Sequence, residues 1–185
     1  MSRYETLKKG IKHAAAGYLF LYFNININNF NVLPAFAGYL FFLSAIKHLQ
    51  EEERELALLK NIGQILFVWN LITWGCGLLY IDIDWQFINL LCQILNLYFH
   101  FQLLTNLASI AEKYQKEVEL DGKMLSYRSI QTIILTVVTI INCFAPWLTD
   151  VWQYCMITMV LVYVMIGACL IKVLLDLAGC FPGVE

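Results

Sequence analysis

Six long apolar segments follow one another along this chain, and only short polar stretches separate them. A helix that crosses a bilayer needs about 20 mostly apolar residues. Six candidate spans approach that length, with limits near 10–27, 32–49, 62–81, 86–109, 130–148 and 151–174. Charged residues make up 14% of the chain, against roughly 25% in soluble domains. We therefore expect an all-α, polytopic membrane protein, in which residues 1–185 form a single transmembrane helical domain.

The basic residues predict the orientation of these spans. All twelve lysines and arginines lie before or at the start of the first span, at the end of the second or between it and the third, between the fourth and fifth, or at the end of the sixth. Short loops rich in Lys and Arg stay on the cytoplasmic side of a membrane. Both the N-terminus and the C-terminus are therefore expected to be cytoplasmic, and the predicted location is the cell membrane, with multiple spans.

Several motifs that carry chemistry are missing from the sequence. It contains no HExxH, no GxSxG and no glycine-rich phosphate loop, so metal, nucleophile and nucleotide sites of those kinds are not indicated. The six cysteines are scattered singly without metal-ligand spacing, which suits helix packing. We predict that the protein is not an enzyme, uses no cofactor or metal and binds no nucleic acid. A haem or metal held by two of His13, His48 and His100 remains an alternative that no spacing motif supports.

The fourth predicted span carries the polar pattern that stands out most. Its polar side chains recur at intervals of three and four residues, which places them along one helix face. We call this stripe the polar seam, and it consists of Gln86, Asn89, Gln93, Asn96 and His100. Amide and imidazole groups avoid hydrocarbon, so the seam should face protein or water. It either lines a pocket for a small polar solute or joins neighbouring helices by hydrogen bonds.

Polar side chains of three other spans are candidates for the same pocket. They are Asn70 in the third span, Thr136 and Thr139 in the fifth, and Tyr39 in the second. A threonine commonly bonds to a carbonyl of its own helix instead. Asn70 has no comparably simple alternative.

Residues 24–31 read NININNFN and join the first two spans on the predicted outer side. In an extended segment, Asn26 and Asn28 would point one way and the isoleucines the other, so that the loop covers the pocket. Alternatively, the first helix continues through Ile27, the asparagines cap helix ends and Pro34 begins the second span. We prefer the second arrangement.

Two resemblances extend this interpretation. The stretch NINI followed by LPxFxGY, which ends at Tyr39, resembles a group of small polytopic membrane proteins of low-GC Gram-positive bacteria, and implies membrane location only. Six spans with inward termini are similar to the substrate-binding subunits of energy-coupling-factor vitamin transporters. That similarity implies a coupling protein docked on small residues of the first span, where Gly10, Ala14 and Gly17 lie without the AxxxA order.

Two functions follow from these patterns. The first is a small-solute binding or transport subunit, with a pocket lined by the fourth helix and capped by the first outer loop. The second is a membrane scaffold or regulatory protein whose polar seam mediates assembly with a partner membrane subunit. An enzyme acting on lipids or thiols ranks last, because no nucleophile, base and orienting group can be assembled from the sequence.

Overall fold

A computed structural model describes residues 3–23, 26–27, 30–31, 34–81, 85–115, 119–144 and 151–181 of the chain, with side chains described outside 26–31, 142–144 and 151–156. Within these ranges the chain forms six helices and one short strand pair. In order they are α1 (Arg3–Tyr22), β1 (Asn26–Ile27), β2 (Phe30–Asn31), α2 (Ala35–Leu49), α3 (Leu56–Leu78), α4 (Gln86–Tyr114), α5 (Leu120–Phe144) and α6 (Val151–Cys180). The predicted all-α class is confirmed.

Four of these helices are long and apolar enough to cross a membrane. They are α3, α4, α5 over Leu120–Ile141 and α6 over Ile157–Cys180. The first helix differs because its first half carries Lys8, Lys9 and Lys12. The second is apolar but has 15 residues, or about 22 Å, less than the roughly 30 Å of a bilayer core. The four long helices suggest a membrane protein.

The helices extend beyond the predicted spans mainly at their charged ends. α1 begins at Arg3 rather than near residue 10, α3 at Leu56 rather than 62 and α5 at Leu120 rather than 130. α4 and α6 continue to Tyr114 and Cys180 rather than to 109 and 174. The residues added to α1, α4 and α5 include lysine, glutamate or arginine, which end an apolar run but favour helix. The residues added to α3 and α6 are mostly apolar.

The asparagine-rich segment is not a continuation of the first helix. α1 ends at Tyr22, and Asn26 and Ile27 pair with Asn31 and Phe30 in an antiparallel ladder. The preferred helical interpretation is therefore wrong, and the extended one holds for these residues. Asn28 and the side chain of Asn26 lie outside what the structure describes, so their place at a ligand stays a prediction. Pro34 directly precedes α2 and has an extended backbone.

The helices form a closed ring. Each helix packs against the next one along the chain, and α6 packs against α1. Since short connections make neighbouring helices antiparallel, the starts of α1, α3 and α5 meet the ends of α2, α4 and α6 at one end of the ring. We call this the charged end, because the basic residues lie there.

The packed core lies toward the charged end. On α3 the buried residues all fall between Leu56 and Leu66, and on α4 they cluster between Phe99 and Ala111. Away from that end, the described side chains of the long helices include many exposed apolar residues, such as Ile72, Phe87 and Ile133. Exposed apolar surface of this extent suits contact with lipid.

Glycines bring α1 and α2 very close together. A Cβ atom at Gly17 would lie 2.5 Å from the Phe42 ring, and one at Gly38 would lie 2.9 Å from the carbonyl oxygen of Gly17. Gly10 and Ala14 are buried in the same packed region. The small residues of the first helix are thus covered within this chain, and the docking surface expected there is not exposed.

The loop between α2 and α3 ties the charged end together. Glu52 accepts hydrogen bonds from Arg3 Nη2 and Tyr114 Oη, both at 2.7 Å, and pairs with Lys113 Nζ at 3.3 Å. Glu55 accepts from Gln102 at 2.7 Å. The hydrogen bonds from Arg3, above all, lower the pKa of the Glu52 carboxyl to about 2. These glutamates connect the loop to α1 and α4.

Candidate functional site

His100 lies inside the helix ring, surrounded by aromatic side chains. It is 1% exposed, and the ring centroids of Phe99, Tyr18, Phe42 and Tyr39 lie 5.3, 5.4, 5.4 and 6.3 Å from its own. Its Nδ1 is 3.4 Å from the Tyr18 hydroxyl. Its Nε2 is buried and has no hydrogen-bond partner in the described part of the chain. The imidazole therefore offers one polar atom to the interior.

A second polar contact lies beside the histidine. The Tyr39 hydroxyl donates a hydrogen bond to the side-chain oxygen of Asn96 at 2.5 Å. Asn96 and His100 are four residues apart and so lie on one face of α4. The contact links α2 to α4 and satisfies the buried tyrosine.

Tyr22, Gln131 and Tyr163 extend the polar interior to α5 and α6. The Tyr22 and Tyr163 rings are 4.6 Å apart, and the Tyr163 hydroxyl lies beside both the Tyr22 hydroxyl and the Gln131 amide. Neither the Tyr22 hydroxyl nor the two amide atoms of Gln131 reach good hydrogen-bond geometry with any described residue. Gln131 is 1% exposed. A buried polar group without a partner costs about 1–3 kcal/mol, so such a cluster calls for an explanation.

These side chains form one site, which we call the His100 cluster. It contains residues of five helices: Tyr18 and Tyr22 of α1, Tyr39 and Phe42 of α2, Asn96, Phe99 and His100 of α4, Gln131 of α5 and Tyr163 of α6. None of them carries a carboxylate. The cluster offers hydroxyl and amide donors, amide and imidazole acceptors and aromatic faces. This chemistry suits a small, uncharged polar molecule better than a strongly charged one.

The polar seam contributes unequally to the cluster. His100 is buried, Asn96 bonds to Tyr39, Gln93 and Asn89 are half-buried, and Gln86 is exposed. Burial falls along the seam because the packed core lies toward the charged end. The seam therefore runs from the interior out to the surface of the bundle.

The other predicted side chains have different surroundings. Asn70 Nδ2 donates to the Leu66 carbonyl at 2.7 Å, and Thr139 Oγ1 donates to the Leu135 carbonyl at 2.8 Å. Both bonds stay within one helix, so the expectation that Asn70 lacks this alternative is wrong. Thr136 is exposed. Of the predicted residues, the structure brings together Tyr39, Asn96 and His100.

Four polar members of the cluster, as well as Phe42 and Phe99, were not predicted from the sequence. Tyr18 and Tyr22 are spaced like residues of one helix face, and Gln131 is an isolated amide within a long uncharged stretch. Those two signals point to buried polar positions. Nothing in the sequence indicates that Tyr163 meets them, because the contact depends on the ring closing between α6 and α1.

The other two histidines lie together at the interface of α1 and α2. The rings of His13 and His48 are 5.5 Å apart. His13 Nδ1 is 2.8 Å from the Ser44 hydroxyl, and His48 Nδ1 donates to the Ser44 carbonyl at 2.7 Å. The described residues contain no group of three or more histidine, cysteine, aspartate or glutamate side chains arranged to hold a metal ion.

Comparison with known proteins adds no relative: no protein-family model, no curated protein and no solved structure matches the chain.

Proposed function

We propose that this is a multi-pass membrane protein that binds a small polar solute in the His100 cluster, as a binding or transport subunit. The observation that carries the proposal is a group of buried polar atoms that form no well-aligned hydrogen bond with any described residue: His100 Nε2, the Tyr22 hydroxyl and the Gln131 amide. A bundle that needed polar contacts only for assembly would pair these groups with one another. A solute with its own donors and acceptors would pair them on binding.

Six spans with both termini in the cytoplasm are part of the proposal. In the ring, α1 and α2 lie between α6 and α3, so a bilayer that surrounds the four long helices also surrounds them. The short α2 then crosses with the help of the residues that precede it, of which Pro34 has an extended backbone. The charged end would lie at the cytoplasmic surface, as the positive-inside rule requires.

The solute would reach the cluster along the seam. Gln86, Asn89 and Gln93 lead from the surface toward Asn96 and His100, and their amides provide donors and acceptors at each turn of α4. The segment that contains Asn26 and Asn28 would cover the outer mouth. A transport cycle would need an energised partner, for which a coupling protein is the expected candidate, since no nucleotide-binding motif occurs in this sequence.

The test is native mass spectrometry of the protein released gently from its own membranes. We expect a co-purifying small molecule on the wild type and its loss from His100→Phe, which keeps an aromatic ring in the packed site. Thr136→Val is the matched control because Thr136 is exposed, and it should keep the molecule. A wild-type chain that carries no molecule under these conditions would contradict the proposal.

The alternative is a scaffold or regulator, and the exposure of Gln86 favours it. The outer part of the seam reaches the bundle surface, where amides could bond to a helix of another subunit. In that case Gln86→Leu and Asn89→Leu would dissociate a partner membrane protein. A solute-binding subunit would keep its partner and lose the solute instead.

A further inference from the structure

Arg128 on α5 holds a positive charge that no described acidic side chain neutralises. The ion pairs in the described part of the chain join Glu52 to Arg3 and to Lys113, at the charged end and not along α5. Arg128 is only partly exposed. A guanidinium that is partly removed from water favours a complementary anion.

Contacts with α4 hold the guanidinium in a fixed orientation. Its Cζ lies 4.4 Å from the centroid of the Phe101 ring, which is a stacked cation–π contact. Its Nη1 donates to the Thr105 hydroxyl at 2.9 Å, and that hydroxyl donates in turn to the Phe101 carbonyl oxygen at 2.8 Å. Nε is buried without a partner among the described residues. Each terminal nitrogen carries two hydrogens, so Nη1 and Nη2 can still donate to a further acceptor.

The uncharged part of α5 begins directly after Arg128, which suits a position of this residue at a membrane boundary. From 128 to Phe144, the end of α5, the sequence contains no further charged residue, and this distance corresponds to about 24 Å of helix. In the other direction, Arg128 lies about 12 Å from the start of α5 at Leu120. Arginine at such a boundary extends its charged group toward the lipid headgroups.

We propose that Arg128, oriented by Phe101 and Thr105, binds the phosphate of an anionic membrane lipid where α4 and α5 pack together. The planar guanidinium matches the oxygens of a phosphate in a bidentate contact, and phosphates are the anions present at that depth. A free phosphate ion has the same chemistry, so the test must separate the two sources. The inference depends on the proposed membrane location and is independent of solute binding in the His100 cluster.

The experiment compares phosphatidylglycerol retained by variants in native mass spectra. Each variant is exchanged into mixed micelles that contain phosphatidylglycerol and phosphatidylcholine in equal amounts. We expect the wild type to retain phosphatidylglycerol, and Arg128→Gln to retain it roughly tenfold less, as for the loss of one charge-assisted contact. Arg128→Lys should retain an intermediate amount because a lysine keeps the charge but not the planar fork.

Two further variants show whether any loss of lipid is specific to the Arg128 site. Lys123→Gln removes an equal charge from an exposed position of the same helix and should retain lipid like the wild type. Thr105→Val leaves every charge in place and removes the hydroxyl that orients Arg128, so it should reduce retention several-fold. It tests the site even where Arg128→Gln does not fold.

Equal retention by wild type and Arg128→Gln, or equal losses in Lys123→Gln and Arg128→Gln, would overturn the proposal. Displacement of the lipid by millimolar inorganic phosphate would assign the site to the free ion and overturn the lipid assignment. Carbonate extraction of the cell membranes checks the membrane location separately. If the protein stays in the membrane pellet but retains no phosphatidylglycerol, the lipid-binding inference is wrong and the proposed membrane location still stands.

Discussion

Arg3 and Glu52 are 49 residues apart in the sequence and form a charged pair that ties the start of α1 to the loop after α2. The hydroxyl of Tyr114 on α4 donates to the same carboxylate. The Glu52 side chain is 6% exposed, while the Arg3 side chain lies largely in solvent. Three segments of the ring therefore meet at one carboxylate.

This pair predicts a pH dependence of stability. The pKa of Glu52 falls from its ordinary 4.5 to about 2 in the folded protein, so the unfolded chain binds a proton more readily. The contribution to stability is complete above the unfolded value of 4.5 and is lost as the pH falls toward 2. Thermal unfolding in detergent should show that Glu52→Gln costs about 1–2 kcal/mol near neutral pH and much less near pH 3. Glu51→Gln is the exposed control, and an equal pH response from both variants would contradict the prediction.

Substitution of Gln131 by methionine should increase stability and abolish solute binding. Its buried amide has no well-formed hydrogen bond among the described residues, so Gln131→Met removes a desolvation cost at similar volume. We expect an increase in stability of about 1 kcal/mol together with loss of the co-purifying solute. Calorimetry and native mass spectra measure the two effects. A destabilised variant would mean that the amide is satisfied through Tyr163 and that the cluster is structural.

Substitution of two seam residues should affect stability differently, although both substitutions should weaken solute binding. Asn96→Leu removes the acceptor of the buried Tyr39 hydroxyl, so we expect it to cost about 1–3 kcal/mol and also to abolish solute binding. Gln93→Leu removes a half-buried amide and should reduce binding with little change in stability. Denaturant unfolding and solute occupancy should be measured for both variants. Full solute binding by both would exclude the seam from the site.

Two glycine-to-alanine substitutions should distinguish the effect of close helix packing on stability from the effect of helix propensity. Gly17→Ala places a methyl group 2.5 Å from the Phe42 ring, and the forced displacement should cost about 1–3 kcal/mol. Gly75→Ala meets nothing within 4 Å and should be neutral or stabilising by up to about 1 kcal/mol. Comparison of the two unfolding temperatures checks the prediction. Similar temperatures for both variants would show that α1 and α2 do not pack this closely.

Thiol labelling should reveal the orientation of the ring. Cys180 is exposed at the charged end, and Ile81 is exposed at the opposite end. With the other cysteines replaced by serine, a membrane-impermeant maleimide should label Cys180 only after the membrane is permeabilised. An Ile81→Cys variant that also lacks Cys180 should be labelled in intact cells. The reverse pattern would place the charged end outside.

The sequence predicted the site residues whose relative positions depend on the spacing within a single helix. The spacing of three and four residues placed Asn96 and His100 on one face of α4, and the structure puts both beside Tyr39. The surroundings of His100 depend on five helices, so Tyr163 and Gln131 had no pattern that connected them. Asn70 was misjudged because its amide reaches the Leu66 carbonyl one turn away. The ends of α1, α4 and α5 were misplaced because charged residues continue these helices beyond their apolar parts.

The close approach of Gly38 to the Gly17 carbonyl has a mechanical consequence for any transport cycle. A Cβ atom at Gly38 would lie only 2.9 Å from that oxygen, so α1 and α2 are packed too closely to slide or rotate past each other freely, and we expect them to move together. The four longer helices have their described buried side chains mostly toward the charged end and meet fewer obstacles elsewhere. An opening toward the His100 cluster would therefore come from movement of α3–α6 against a stationary α1–α2 pair.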